Sequence, residues 1–205
     1  MKIIKPYVEM VSCPSYEDVL ALLEKAGRVC YKSEQKIDKD SAEAFVQRIV
    51  NSGHESVIEH ASFSVRIVCD RGVSHEIVRH RLASYCQEST RYCNYSQDKF
   101  GNEITVVKPV FFEENTTPYI VWRCACFNAE EAYFDLLSKG CTPQEARAVL
   151  PNSLKTELFM TANIREWRHF LKLRTSERAH PQMREIALML LYMVQEKYPL
   201  LFSDI

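Results

Sequence analysis

The sequence predicts one α+β domain spanning residues 1–205, with strands embedded between helices. Two apolar patterns indicate this class: a two-residue repeat in short segments, typical of strands, and a three-to-four-residue repeat in longer segments, typical of helices. No repeat, linker or block of like charge divides the 205 residues. Because a chain of this length can bury one core without disulfides or metals, a single domain is the simplest interpretation.

Two helices are predicted in the first quarter of the chain. The first begins at Ser15, where Asp18 completes a partial capping box, and ends near Gly27. The second covers residues 41–51 and stops at Gly53. The residues expected on their buried faces are Val19, Leu22, Leu23, Ala26, Ala44, Phe45 and Ile49.

A strand and a short helix are expected next. Residues 62–69 alternate between polar and apolar, which predicts a strand with one covered face. Residues 70–72 form a predicted turn, Ser74 a predicted N-cap, and residues 75–83 a short helix that carries residues 79–81. The apolar members of the strand are Phe63, Val65, Ile67 and Cys69.

The second half of the chain is predicted to mix strands with helices. Its sharpest local signal is residues 142–145, Thr-Pro-Gln-Glu, which supply an N-cap, a first-turn proline and a third-position glutamate. The elements expected here are strands at 104–107 and 154–160 and helices at 118–138, from 143, at 163–174 and at 181–198, the last with apolar residues Ile186, Leu190, Met193 and Val194.

The charge balance excludes a general polyanion binder. Lys and Arg number 26 against 27 Asp and Glu, for a net charge of −1, so no global positive field exists to hold nucleic acid. The first residues lack the apolar core of a signal peptide. The longest apolar run, residues 186–194, is far shorter than the ~20 residues that span a bilayer. We therefore expect a cytoplasmic protein without a nucleic acid or membrane partner.

Cysteine and glycine usage narrows the chemistry further. The eight cysteines include no Cys-x-x-Cys pair and are expected to be reduced core residues, with Cys124 and Cys126 on different faces of a helix. The five glycines form no glycine-rich phosphate loop. If the protein binds a nucleotide, side chains must hold its phosphate.

Positive charge is concentrated in two places. Residues 163–184 contain six Lys and Arg against two Glu, and the second cluster is Arg79-His80-Arg81 followed by Arg91. Solvated helix faces would explain such clusters. However, a helix would turn at least one of residues 79–81 inward, where a guanidinium needs a partner such as a phosphate or carboxylate.

Two further kinds of site, a metal centre and a nucleophilic side chain, are considered and disfavoured. A metal site would draw on His54, Glu55, His60, His75 and His80, but no pair has the spacing that places two imidazoles on one helical face, so no metal is expected. Ser89 or Cys86 could serve as a nucleophile with His80 as base, yet no nucleophile elbow is present.

Several segments together resemble the flavin-dependent thymidylate synthases. Arg79-His80-Arg81 is followed by seven residues and then by Ser89. The other matching segments, in order along the chain, are His54 to His60, Arg147, Asn163 to Phe170 leading to Arg174, and Ala179 to Gln182.

The resemblance implies a small, mostly antiparallel sheet flanked by helices and a homotetramer with intersubunit active sites. It implies that dUMP is converted to dTMP with methylenetetrahydrofolate as carbon donor and NADPH as reductant, through FAD. Arg174 would be catalytic, promoting ionisation of the uracil N3. The positions that would contact FAD are Ser56, Arg79, His80, Arg81, Gln87, Asn163, Ile164, Arg165 and His169, with His54 where the family approaches the flavin.

The resemblance also implies a substrate site. The positions that would surround dUMP are Glu76, Arg79, Gln87, Glu88, Ser89, Thr90, Arg91, Arg147 and Arg174. Ser89 is favoured as a phosphate contact rather than a nucleophile. Glu76 stands where many relatives have Gln, and Glu88 where an apolar residue is common, which favours a backbone contact for Glu88.

A binding module is the second function that the residues allow. Arginines together with Tyr85, Tyr92, Tyr95 and Trp167 could sequester a nucleotide or a single-stranded nucleic acid by stacking. The charge balance disfavours a polynucleotide.

Overall fold

A computed structural model describes residues 1–205 as six strands and eight α-helices joined by loops that include four short 3₁₀ helices. The strands are β1 (Lys2–Ile4), β2 (Tyr7–Ser12), β3 (Ser62–Asp70), β4 (Ala83–Gln87), β5 (Thr105–Val107) and β6 (Lys155–Asn163). The helices are α1 (Tyr16–Val29), α2 (Ser41–Asn51), α3 (Arg71–Ile77), α4 (Thr117–Ser138), α5 (Pro143–Ala146), α6 (Ile164–Arg174), α7 (Pro181–Lys197) and α8 (Pro199–Phe202).

The main sheet is antiparallel and has the order β2-β3-β6-β4. β3 and β6 pair along their full length, from Ser62 opposite Asn163 to Asp70 opposite Lys155. β4 adds to the other side of β6, with Gln87 opposite Leu158. β1 and β5 form a separate parallel pair. The predicted α+β class with a mostly antiparallel sheet is confirmed.

The core lies between this sheet and the helices. The inward residues of β3 are Phe63, Val65, Ile67 and Cys69, all buried as their alternation predicts. Trp167 of α6 stacks on Phe63 with ring centroids 4.9 Å apart. A smaller apolar cluster around Tyr133 of α4 packs behind β5. The sheet packs against α3, α6 and α7, and α1 and α2 complete the same core.

The predicted boundaries of α1 and α2 are nearly right, but two predicted buried residues are wrong. Leu22 and Ala44 are exposed, whereas Leu20 and Val46 are buried. Val19 and Leu23 are buried as predicted, so the covered stripe of α1 is shifted to one side and not reversed. The elements packed against each helix, not the local repeat alone, select the covered face.

The first helix also continues past its predicted stop. Ser15 caps α1 by accepting from the backbone N–H of Asp18 at 3.0 Å, as predicted. Gly27 lies inside the helix, which ends at Val29. A Cβ at Gly27 would lie 2.7 Å from Phe45 of α2, so this glycine permits close helix packing.

The prediction for residues 70–83 is wrong in its boundaries. Asp70, not Ser74, is the N-cap, because its Oδ1 accepts from the Val73 N–H at 2.8 Å. The helix therefore starts at Arg71 and ends at Ile77. Residues 83–87 form β4, a strand that the sequence does not predict and that depends on pairing with β6. Residues 79–81 thus lie in a turn rather than on a helix.

The cysteines are all free thiols, as expected. Their prediction as core residues holds for Cys69 and Cys126 and is wrong for Cys30, Cys86 and Cys124, which are exposed. Cys124 and Cys126 do face different ways on α4. None of the helices combines the length and the apolar character that a membrane crossing requires.

Candidate active site

Arg174, the last residue of α6, is the best-connected side chain of the candidate site. Its Nη1 donates to Glu76 Oε2 at 2.6 Å, and its Nη2 donates to the Glu76 carbonyl oxygen at 3.1 Å. Its Nε donates to His80 Nε2 at 3.1 Å. Because a guanidinium has five N–H donors, these three contacts fix its plane and leave two donors for a ligand.

His80 continues this network into the interior. Arginine can only donate, so His80 Nε2 must be the acceptor and Nδ1 must carry the proton. Nδ1 then donates to Glu166 Oε1 at 3.2 Å. Burial lowers the pKa of His80 below its usual 6.5, and the nearby Arg174 lowers the pKa further, while Glu166 opposes both effects. A neutral imidazole therefore holds Arg174 in place.

The turn between α3 and β4 is anchored by Tyr85. Its hydroxyl donates to the His80 carbonyl oxygen at 2.7 Å and lies 2.9 Å from the Ile77 carbonyl oxygen. Burial raises the pKa of Tyr85 to about 12, so it stays a donor. Of the three basic residues in the turn, only the imidazole points inward, whereas Arg79 and Arg81 are exposed. One of residues 79–81 does turn inward, as predicted, but it is the imidazole of His80 and not a guanidinium.

Two adjoining cavities open beside this network. The larger, of about 640 Å³, is lined mainly by α6, and the smaller, of about 400 Å³, reaches Arg79, Arg81 and Arg174. Both share Glu166 and His169. Their lining is polar and rich in arginine, which suits an anionic ligand rather than a hydrophobic one.

The other predicted flavin contacts fall into different environments. Asn163 lines the larger cavity and caps α6 by accepting from the Glu166 N–H at 2.9 Å. Arg165 also lines it, but is paired with Glu55 and Glu59 at 3.3 and 2.5 Å. The Ile164 side chain is buried in the core and its N–H donates to Ala61, so it does not line the cavity. The two remaining members, Ser56 and His54, are exposed near the same end of the sheet.

A second group of predicted residues follows β4. The Gln87 amide donates to Ser74 and Thr156 at 2.9 and 3.2 Å and so faces the protein. Arg147 Nη1 donates to the hydroxyl of the buried Thr90 at 3.3 Å. The Glu88 side chain is engaged by Tyr95 and Lys155, while Ser89 is half-buried and Arg91 is exposed. The structure thus joins Arg147 to the segment after β4, 57 residues away in sequence.

The metal hypothesis gains no support from this arrangement. Of the five residues considered from sequence, only His80 belongs to a compact donor set, with Glu166 and His169. The His80 nitrogens are already occupied by Arg174 and Glu166. A cation there would sit beside a guanidinium, which disfavours it.

A Cys86 nucleophile and an aromatic stacking platform also lose support. Cys86 alternates along β4 with Tyr85 and Gln87, whose side chains bond to α3, so Cys86 points to the opposite side of the sheet. Trp167 is fully buried and Tyr95 is nearly so, which leaves Tyr92 as the one exposed member of the four proposed stacking residues. A stacking platform for single strands is not formed by this chain.

Sequence reasoning missed several residues that support the site. Glu166 orients His80, and Tyr85 holds the turn. Glu166 had a usable signal, since it stands three residues after the capping Asn163. The role of Lys155 had none, because its partner Glu88 lies 67 residues away.

Arginines beside polar cavities at the end of an antiparallel sheet define a protein with a site suited to small anionic ligands. The chain belongs to the family described as "Thymidylate synthase complementing protein", whose model matches residues 14–200. A relative from Geobacter sulfurreducens, named flavin-dependent thymidylate synthase, is 36% identical over 198 residues, covering 93% of this chain and 82% of the relative. A relative of the same name from Pyrococcus furiosus is 35% identical over 168 residues, covering 82% of this chain and 68% of the relative.

The fold is similar to that of a solved structure of a nucleotide-modifying enzyme. This is the UMP/dUMP methylase PolB from Streptomyces cacaoi bound with 5-Br dUMP, with a TM-score of 0.80 and 25% sequence identity. The match covers 99% of this chain and 96% of that chain.

Proposed function

We propose that this protein is a flavin-dependent thymidylate synthase that forms dTMP by methylating dUMP. The observation that carries this function is the Arg174 guanidinium, which three contacts hold beside a polar cavity with two N–H donors left over. Methylation at C5 requires electron density to be drawn into the pyrimidine ring, and a fixed guanidinium stabilises the negative charge that develops there. Family membership and the dUMP methylase neighbour support the same reaction.

The residues around the larger cavity fit a flavin cofactor, proposed to be FAD. His169 offers a donor for a diphosphate, Arg165 would add more by exchanging Glu55 or Glu59 for the ligand, and Asn163 lines the same cavity. Arg79 and Arg81, exposed on the neighbouring turn, add positive charge. When bound, the flavin supplies hydride chemistry. We propose NADPH as the reductant and methylenetetrahydrofolate as the carbon donor.

We propose that the segment after β4 holds the dUMP phosphate. Ser89 and Thr90 offer hydroxyls, while Arg91 and Arg147 offer exposed guanidinium groups. The Glu88 carboxylate is already bonded within the protein, so any contact it makes with dUMP is through the backbone.

A homotetramer with intersubunit active sites is supported by two features. Arg174 contacts His80, which lies just before the first residue of β4, whereas the residues proposed to hold the phosphate follow the last residue of β4. Because β4 has five residues, its two ends are ~13 Å apart. A second copy of the chain could place its own phosphate-binding residues over the cavities of the first copy. In addition, α4 leaves the side chains of Ile120, Val121 and Phe127 exposed, an apolar face that a second copy could cover.

The direct test is synthesis of dTMP by the purified protein. We expect dTMP to accumulate only when dUMP, methylenetetrahydrofolate, NADPH and FAD are all present, as measured by chromatography of the nucleotides. A protein that binds FAD but forms no dTMP under these conditions would contradict the proposed function.

Replacement of Arg174 sharpens this test. Arg174→Ala removes a charge-assisted contact worth ~3 kcal/mol, so we expect dTMP formation to fall roughly 100-fold while FAD stays bound. Arg178→Ala, which removes an exposed arginine four residues away, is the matched control and should retain activity. Equal loss of FAD and activity in Arg174→Ala would place Arg174 in the cofactor site instead.

A further inference from the structure

We propose that Glu88, Tyr95 and Lys155 form a positioning cluster that holds the loop of residues 88–95 in the shape that binds the substrate phosphate. This inference rests on the proposed function and assigns a role to Tyr95 and Lys155. None of the three side chains touches the substrate in this proposal. They act through Ser89, Thr90 and Arg91.

The cluster is built around a mostly buried carboxylate. Tyr95 OH donates to Glu88 Oε1 at 2.9 Å, and Lys155 Nζ donates to Glu88 Oε2 at 2.7 Å. The Glu88 side chain is only 9% exposed. A carboxylate at this depth is stable only with partners on both oxygens, and each oxygen has one. Burial and the adjacent Glu88 charge raise the pKa of Tyr95, which keeps its hydroxyl protonated.

The main chain of Glu88 is fixed as well. Its N–H donates to the Glu157 carbonyl oxygen at 2.9 Å, which extends the pairing of β4 with β6. Its carbonyl oxygen accepts from Arg71 Nη1 at 3.4 Å. The residue that precedes the proposed phosphate contacts is therefore held at four points.

The Tyr95–Glu88 bond closes the loop at its two ends. Inside it, the Ser89 carbonyl oxygen accepts from the N–H groups of Tyr92 and Cys93 at 3.1 and 2.9 Å. The far end is anchored because the Tyr95 N–H donates to Tyr133 OH at 3.4 Å and its ring is buried. Because the loop is already ordered, the binding of an anion to its hydroxyl and N–H groups costs little conformational entropy.

Tyr95→Phe is the cleanest test, because it removes one hydroxyl and keeps the buried ring. Loss of a donor to a buried carboxylate should raise the KM for dUMP roughly 10-fold, with kcat changed less than about 2-fold. FAD affinity, measured by flavin fluorescence, should not change. Tyr92→Phe is the matched control in the same loop, since Tyr92 is 77% exposed, and should behave as wild type.

Lysine variants add a rescue criterion. Lys155→Met should raise the KM for dUMP at least as much as Tyr95→Phe, because it leaves a buried charge without its cation. Lys155→Arg restores the cation and should recover most of the loss. If Lys155→Met folds poorly, Glu88→Gln tests the same ion pair, because it keeps the shape of the side chain and removes its charge. It too should raise the KM for dUMP.

The outcomes separate this inference from the proposed function. Wild-type enzyme that fails to make dTMP would refute the proposed function. Active wild type with an unchanged KM in Tyr95→Phe and Lys155→Met would overturn the cluster alone. A parallel fall in FAD affinity, kcat and melting temperature would also overturn it, because that pattern reports general destabilisation.

Discussion

The pairing of Glu76 with Arg174 sets the electrostatics of the site. The carboxylate and the carbonyl oxygen of Glu76 both accept from Arg174. When no substrate is bound, the Glu76 carboxylate neutralises the charge of the Arg174 guanidinium and also orients it. Substrate must therefore use the two remaining donors or share those held by Glu76.

The neutral state of His80 leads to a pH prediction. The pKa of His80 in the folded protein is below its unfolded value of 6.5, so between these two values the unfolded chain binds a proton that the folded chain does not. The free energy of unfolding should therefore decrease as the pH falls from about 7 through this window. Above pH 6.5 the contribution of His80 is fully present.

Urea unfolding of the flavin-free protein, at fixed protein concentration, measures this effect. His80→Gln removes the titrating group and should give a flatter pH dependence between about pH 7 and 5.5 than wild type. Asp204 titrates in a different range, because Arg168 lowers the pKa of its carboxyl below 3.8, and its contribution is lost only at lower pH. Identical slopes for wild type and His80→Gln would contradict the assignment of a neutral His80.

At the scale of the secondary elements, short-range signals located some helix starts but not every helix end or covered face. Ser15 caps its helix and Thr142 with Glu145 forms the full capping box, as predicted, whereas the predicted cap Ser74 and the predicted stop Gly27 are wrong. Capping bonds span three residues, so sequence spacing suffices to find them. Which leucine of α1 is buried depends on α2 and on residues 57–60, which pack against this helix, and there the prediction for Leu22 was wrong.

Two adjacent leucines of α1 test this distinction. Leu23 is fully buried, so Leu23→Ala should lower the free energy of unfolding by ~2–5 kcal/mol. Leu22 is 45% exposed, so Leu22→Ala should change it by less than about 0.5 kcal/mol. Denaturant titration of both variants measures the difference. A larger effect at Leu22 would mean that the helix buries the face expected from its apolar repeat.

At the scale of the whole molecule, the main consequence of the fold is that β4 separates the residues around Arg174 from the residues proposed to bind the phosphate. Arg174 contacts His80 at the start of β4, and Arg147 contacts Thr90 beyond the end of β4. If each active site combines one group from each of two subunits, then a mixed oligomer can contain a site with both arginines intact. That one domain covers residues 1–205 stays a prediction.

Complementation between inactive variants tests the shared site. Arg147→Ala and Arg174→Ala should each be nearly inactive, but co-expressed chains should recover about a quarter of wild-type turnover, because random pairing leaves that share of sites intact. A mixture of the two variants, each purified separately and kept under conditions that prevent subunit exchange, provides the control. Mixed oligomers, verified by mass spectrometry, that remain inactive would show that each site lies within one chain.

The sequence by itself determined the caps at Ser15 and Thr142, the alternating strands β3 and β6, and the set of arginines that resembles a known family. These features depend on residue type and on spacings of a few positions. Only the tertiary structure decided that residues 83–87 form β4, that His80 rather than an arginine turns inward, and that Glu88 pairs with Lys155. Each of these depends on partners far along the chain, such as β6 and α6, and the free energy of such contacts is set by packing that local spacing does not encode.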